Sequence, residues 1–249
     1  MENKEQYQLS ETVARTFVQG ITRGNKEYAQ ERLEKKRTMR VSTGYSWTRS
    51  NHIDDAISRE IQAENMMDQI NDQIATAGYF WDYLQFGLNN GENALLIVKP
   101  GRYRSFKYGS AIDQNHLTQQ SIQELMAVNA DIFSGEKDNG TQQLELFNIL
   151  PNDLSATEQS VKNVSFSRFY MLIYTLNNES EVNSVKLMMP NPNNQTVEQI
   201  QDLSAFIGDA QLTQDEKEAI VHDQQVEIAG GSIFFGIDND STEENELAN

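Results

Sequence analysis

The sequence contains no cysteine in 249 residues. That excludes a disulfide framework, a cysteine nucleophile and any thiolate metal site. Proline is scarce, at four residues. Three of them, Pro100, Pro151 and Pro190, close runs that read as strands, as suits a residue that cannot donate to a ladder. Histidine occurs three times, at His52, His116 and His222. None stands in a Gly-x-Ser-x-Gly or His-Glu-x-x-His frame, and neither glycine-rich nucleotide loop is present. The apolar run Ala94 to Val98 is five residues, and no apolar run approaches a membrane span. The start, Met-Glu-Asn-Lys-Glu-Gln, lacks the basic-then-apolar layout of a secretory signal. The chain reads as a soluble, cytoplasmic, globular protein with no cofactor motif.

What it has instead is amide and acid. Hydrophobic residues make up 38%, with 23 Asn and 22 Gln filling the deficit. The formal charge is −17, from 37 acids and 20 bases, and the pI is near 4.5. The total hides a gradient: residues 1–49 carry +4, residues 50–110 carry −3 and residues 111–249 carry −18. Like charges crowded into one region repel and destabilise the compact state. Two explanations stay open. The acidic part is paired with the chain's own bases, or it docks on something basic.

Hydrophobic spacing organises the rest. Val13, Phe17, Ile21 and Tyr28 make one stripe of a helix from Ser10 to about Lys36. Gly20 and Gly24 inside it predict a break or a close helix contact. A loop is expected over Val41 to Ser50. A second helix should start from an N-cap at Ser50-Asn51 and carry Ile53, Ile57, Ile61, Met67, Ile70 and Ile74 as far as Gly78. Tyr79 to Leu88, Asn89-Asn90-Gly91 and Glu92 to Lys99 read as a hairpin. Phe166 to Leu176, Asn177-Asn178-Glu179 and Val182 to Met189 repeat that layout, which raises an internal repeat. Leu144 to Leu150 reads as a further strand, and Ile233-Phe-Phe235 as a late one. Capping-box spacing at Ser121-Ile-Gln-Glu124, Thr196-Val-Glu-Gln199 and Thr213-Gln-Asp-Glu216 predicts three helices.

The fold class is therefore α+β. An antiparallel sheet is built from two hairpins plus one or two further strands, flanked by helices, with an N-terminal helical pair. The expected organisation is a basic helix and loop at 1–49, an α+β domain at 50–237 and an acidic disordered tail at 238–249.

Candidate chemistry is thin, and no residue is assigned a catalytic role. His52-Ile-Asp54-Asp55 sets a base beside two carboxylates, but the first turn of a helix favours Asp on structural grounds. A nuclease strand would need an acid two residues before its lysine; Ile97 precedes Lys99 there, and Ser184 precedes Lys186. Asp238-Asn-Asp-Ser-Thr imitates a calcium loop, with Glu243 where glycine makes the turn and Asn249 in place of the bidentate acid. Lys99, Arg102, Tyr103, Arg104, Phe106 and Lys107 interleave bases with aromatics, which suits phosphate contacts and base stacking. The same bases could instead pair with the acidic part of the chain or cover apolar surface.

Ser50-Asn-His-Ile-Asp-Asp-Ala, Val98-Lys-Pro-Gly-Arg-Tyr-Arg, Leu144-Glu-Leu-Phe147, the second hairpin and Asp202-Leu-Ser204 together resemble an uncharacterised family. Its members are about 250 residues long and come from low-GC Gram-positive bacteria and their phages. The resemblance spans roughly residues 50–208. It implies a bacterial or phage origin and a cytoplasmic location, and it brings no activity.

The leading expectation is a non-enzymatic acidic interaction protein, such as a phage or mobile-element inhibitor. It would bind a basic, nucleic-acid-binding host protein by charge mimicry. Asp202, Asp209, Asp215, Glu216, Glu218, Asp223 and Glu227 are the acids expected to make that contact. A nucleic-acid binder using the 99–108 patch and a carboxylate–metal enzyme are the alternatives.

Overall fold

Ser10 opens the first helix. Its hydroxyl accepts the Val13 N–H at 3.4 Å, and α1 runs Glu11–Thr38. The computed structural model describes residues 4–77, 81–89, 93–101, 125–134, 166–194, 196–208 and 210–223. Val13, Phe17, Ile21 and Tyr28 are all buried, as the stripe predicts. Gly20 and Gly24 do not break the helix; they are where α2 (Arg49–Ala63) crosses it. A β-carbon at Gly20 would lie 2.6 Å from the Cα of Ile57, and one at Gly24 would lie 2.5 Å from the Cα of Ile53. Only glycine lets the two backbones approach so closely.

Between the helices, part of the expected loop is a 3₁₀ turn over Thr43–Trp47. α2 then departs from expectation at both ends. It starts before Ser50, with Thr48 at the cap position and no side-chain cap bond. It stops at Ala63 in a Schellman turn: Met66 N–H donates to Ile61 O at 2.9 Å, and Asn65 N–H donates to Gln62 O at 3.1 Å. Asn65 takes the left-handed conformation this turn needs, with φ of 53°. Ile70 and Ile74, expected on the helix, lie instead on strand β1 (Ile70–Ala77).

The first hairpin forms as predicted, from β2 (Trp81–Asn89) and β3 (Asn93–Pro100), and the second from β4 (Arg168–Leu176) and β5 (Val182–Asn191). The helix expected from Thr196 is absent. That segment is β6 (Thr196–Asp202), followed by a 3₁₀ turn over Ser204–Phe206. The six strands lie in sequence order, antiparallel except where β3 runs parallel to β4. The architecture is the α+β arrangement expected; β1 and β6, the strands outside the two hairpins, lie on segments expected to be helical. The segments around Leu144 and Ile233, and the 238–249 tail, lie outside the described residues.

The parallel centre sets how the two hairpins are related. β2 and β5 run opposite to β3 and β4. Laying the first hairpin on the second therefore requires turning the sheet over. In strand order and direction, β1–β2–β3 and β4–β5–β6 are related by a shift along the sheet, and the two hairpins by that turn.

One face of the sheet carries Phe86, Leu88, Leu96, Leu172, Val185, Leu187 and Met189 against α1 and α2 in a single core. Tyr7, Leu9 and the Val13 to Ile21 part of α1 share this core with the sheet, across the boundary expected at residue 49. The other face carries Leu95, Ile97, Phe169, Met171 and Ile173 against Leu125, Met126 and Val128. These last three precede a short helix α3 (Ala130–Ser134). β3 and β4 are apolar on both faces because both faces are covered. Asn129 mends the sheet where Pro190 lacks an N–H: it donates to Phe169 O and Pro190 O, both at 3.0 Å, and accepts Phe169 N–H at 3.0 Å. The helix α4 (Gln214–Ile220) carries the complete capping box predicted at Thr213 and Glu216.

Candidate functional site

The charged groups of α1 reach across the molecule to the acidic C-terminal part. Arg32 is held by Asp223, with Nε to Oδ2 at 2.7 Å and Nη2 to Oδ1 at 3.1 Å, both side chains buried. Its third nitrogen, Nη1, donates to Ser42 O at 2.9 Å. Tyr28 hydroxyl donates to the same carboxylate at 2.6 Å, and the Arg49 guanidinium stacks on the Tyr28 ring at 4.6 Å. Burial pushes the Asp223 carboxyl up, but the bonds from Arg32 and Tyr28 outweigh it, and the group lies below the ordinary carboxylate range. Arg37 pairs with Asp215 at 2.7 Å, and Lys4 pairs with Glu198 at 3.0 Å. Closer to home, Arg15 pairs with Glu11, Arg23 with Glu60, and Arg59 of α2 with Glu27 and Asp55.

These pairs redraw the acidic surface expected from the sequence. Asp223 leaves it, because it is buried against Arg32. Glu216 leaves it as well, buried with its carboxylate on Thr213 N–H at 2.7 Å. Asp215 is exposed but paired with Arg37, and exposed Glu218 accepts from Gln214. Asp202 is exposed at the end of β6 and caps Ser204 N–H at 2.9 Å. Asp209 and Glu227 lie outside the described residues.

The basic–aromatic patch is represented only by Lys99; Arg102, Tyr103, Arg104, Phe106 and Lys107 lie outside the described residues. Lys99 is half-buried, with its ammonium packed around by protein and 5.1 Å from the Tyr83 ring centre. Burial lowers its pKa to about 8, against the opposing pull of Asp54. The β2–β3 ladder ends at Gln85 paired with Ile97. Just beyond, the Leu84 N–H is taken by the Asp54 carboxylate at 2.9 Å. Burial raises Asp54 to about 7, opposed by that N–H and by Lys99. Tyr83, raised chiefly by burial, accepts from Gln85 at 2.9 Å. The motif around His52 thus does structural work. Asp54 closes a parting ladder from the second turn of α2, and His52 bonds Glu31 of α1. Among the described residues, no three or more His, Asp or Glu side chains converge as a metal site would require.

Exposed acid remains in a place the sequence did not suggest, along the turn into β1 and on that strand. Glu64, Asp68 and Asp72 are exposed there, with Met67 60% and Ile74 70% exposed beside them. Among the described residues, none of these three carboxylates has an ion pair; Asp72 accepts from the Ser58 hydroxyl of α2. The signal was hidden because Ile70 and Ile74 are four residues apart, a spacing that suits a strand face as well as a helix face. No helix among the described residues is long and apolar enough to cross a membrane. Comparison with protein-family models, with curated proteins and with solved structures finds no match.

Proposed function

We propose that the chain is a non-enzymatic interaction protein that presents its surplus negative charge to a basic partner, a nucleic-acid-binding protein. The observation that carries this reading is how the bases are used. Arg15, Arg23, Arg32, Arg37 and Lys4 are each engaged by an acid of the same chain. Self-pairing therefore engages these five of the ten bases in residues 1–49, while the chain as a whole carries a net −17. A surface of this kind raises association rates with cationic partners and competes with the phosphates such partners bind. A phage or mobile-element inhibitor of a host nucleic-acid enzyme would take this form.

The test uses the full chain and a purified basic DNA-binding domain. Affinity should fall steeply between about 50 and 500 mM salt, where screening shortens from roughly a nanometre to a few ångströms. The chain should also displace labelled duplex DNA from that domain. Salt-independent binding, or no competition with DNA, would remove the electrostatic basis.

A further inference from the structure

β1 is an edge strand: among the described residues it has a neighbour on one side, β2. The register shows which of its groups face outward. Asn89 N–H donates to Gln69 O at 2.8 Å, just before the paired positions begin. Bonded and non-bonded pairs alternate along an antiparallel ladder. Asn71, Gln73 and Ala75 therefore exchange bonds with Gly87, Gln85 and Tyr83. The N–H and C=O groups of Asp72 and Ile74 point away from β2. By the same alternation the side chains of Asp72 and Ile74 share the face that carries α2. Ile74 is 70% exposed, and Asp72 is exposed and held by Ser58. Glu64 and Asp68 are exposed on the turn leading into the strand.

We propose that the outer edge of β1 is the docking strand, and that an extended basic segment of the partner protein adds to it as a seventh strand. The inference rests on the charge-docking reading above and gives it a place and a mode. Outward backbone groups supply the hydrogen bonds, Ile74 supplies an apolar contact, and the carboxylates select basic residues on the incoming strand. A second copy of this chain is the less favoured occupant. Antiparallel self-pairing through these groups would bring two Asp72 carboxylates directly or diagonally opposite each other, a destabilising arrangement.

The experiment measures fluorescence anisotropy of a labelled short peptide alternating Lys and Val, titrated with the full chain. A peptide of equal charge with Pro in place of each Val keeps the electrostatics and cannot form a strand. Ile74→Pro removes one outward N–H and leaves the bonds to β2 intact; Asp72→Lys reverses the selecting charge. The Lys–Val peptide should bind, the Pro peptide should bind at least about tenfold more weakly, and each variant should lose at least about tenfold. Glu5→Gln, on the turn before α1 that packs by β6 at the opposite edge of the sheet, should bind as the parent does. Thermal unfolding of each variant separates lost docking from lost fold, and Asp72→Lys stands if Ile74→Pro does not fold. Equal binding of both peptides, unchanged in the variants, overturns the edge and leaves the charge reading in place. Binding of the basic domain but of neither peptide does the same. A concentration-dependent dimer abolished by Ile74→Pro would give the edge to a second copy and overturn the choice of occupant. Failure of the basic domain itself to bind removes the underlying reading.

Discussion

Replacing Asp223 by alanine should be among the most damaging substitutions outside the apolar core. The carboxylate receives three hydrogen bonds, from Arg32 Nε, Arg32 Nη2 and the Tyr28 hydroxyl, at 2.7, 3.1 and 2.6 Å. Arg32 is 3% exposed, so water cannot replace what is lost. Removing one partner of a buried pair costs about 3–5 kcal/mol, because the remaining charge stays desolvated. For a chain of this size each kcal/mol lowers the midpoint by about 2–4 °C, so a fall of about 10 °C is expected in differential scanning calorimetry. Arg32→Met combined with Asp223→Leu removes both charges. That pair should recover much of the loss, with a coupling energy of about 2 kcal/mol or more in the double-mutant cycle. The pH dependence has a definite sign. The folded pKa of Asp223 is depressed. Its contribution is complete above the unfolded value of about 4 and is lost as pH falls through the lower folded value. A midpoint within a degree or two of the parent for Asp223→Ala, or additive single substitutions, would refute the view that this pair ties α1 to the C-terminal segment.

Two further predictions concern the helix crossing and the parting ladder. Gly24→Ala gains about 1 kcal/mol of helix propensity. Its methyl, however, would meet Ile53 Cα at 2.5 Å and His52 O at 2.7 Å, which are backbone atoms that cannot rotate away. A net loss of about 2 kcal/mol is expected in chemical denaturation. Gly44→Ala, with nothing within 4 Å, should be nearly neutral, and equal effects at the two sites would contradict the close crossing. Asp54 titrates near 7 when folded and near 4 unfolded, so the folded state holds the extra proton between those values. Stability should therefore fall as pH rises from about 4 to 7, by a few kcal/mol at most, and Asp54→Asn should flatten that slope while keeping an acceptor for Leu84. An unchanged slope would show that Asp54 is not the titrating group.

Local sequence carried much of the fold. The stripe through Phe17 and Ile21, both hairpins and the Thr213 capping box are short-range patterns, and all are present. The failures are as informative. Thr196-Val-Glu-Gln199 has the same capping spacing as Thr213-Gln-Asp-Glu216, yet it pairs with β5 as a strand. Spacing alone cannot register a neighbouring strand waiting for hydrogen bonds. The long helix expected to Gly78 failed because a four-residue repeat suits both periods, and Asn65 ended the helix by turning left-handed.

The same division holds for the site. Composition determined that the molecule carries a large surplus of acid, that its bases gather at one end, and that thiol chemistry is absent. Which of those acids are spent was decided only by folding. Asp223 and Glu216 look like surface carboxylates in the sequence; one is buried against Arg32 and the other caps its own helix. Glu64, Asp68 and Asp72 drew no notice in the sequence and stand exposed on an edge strand and the turn that leads into it. Charge is a property of residues and can be summed along a chain. Its availability depends on distance and solvent, and only the tertiary structure sets those.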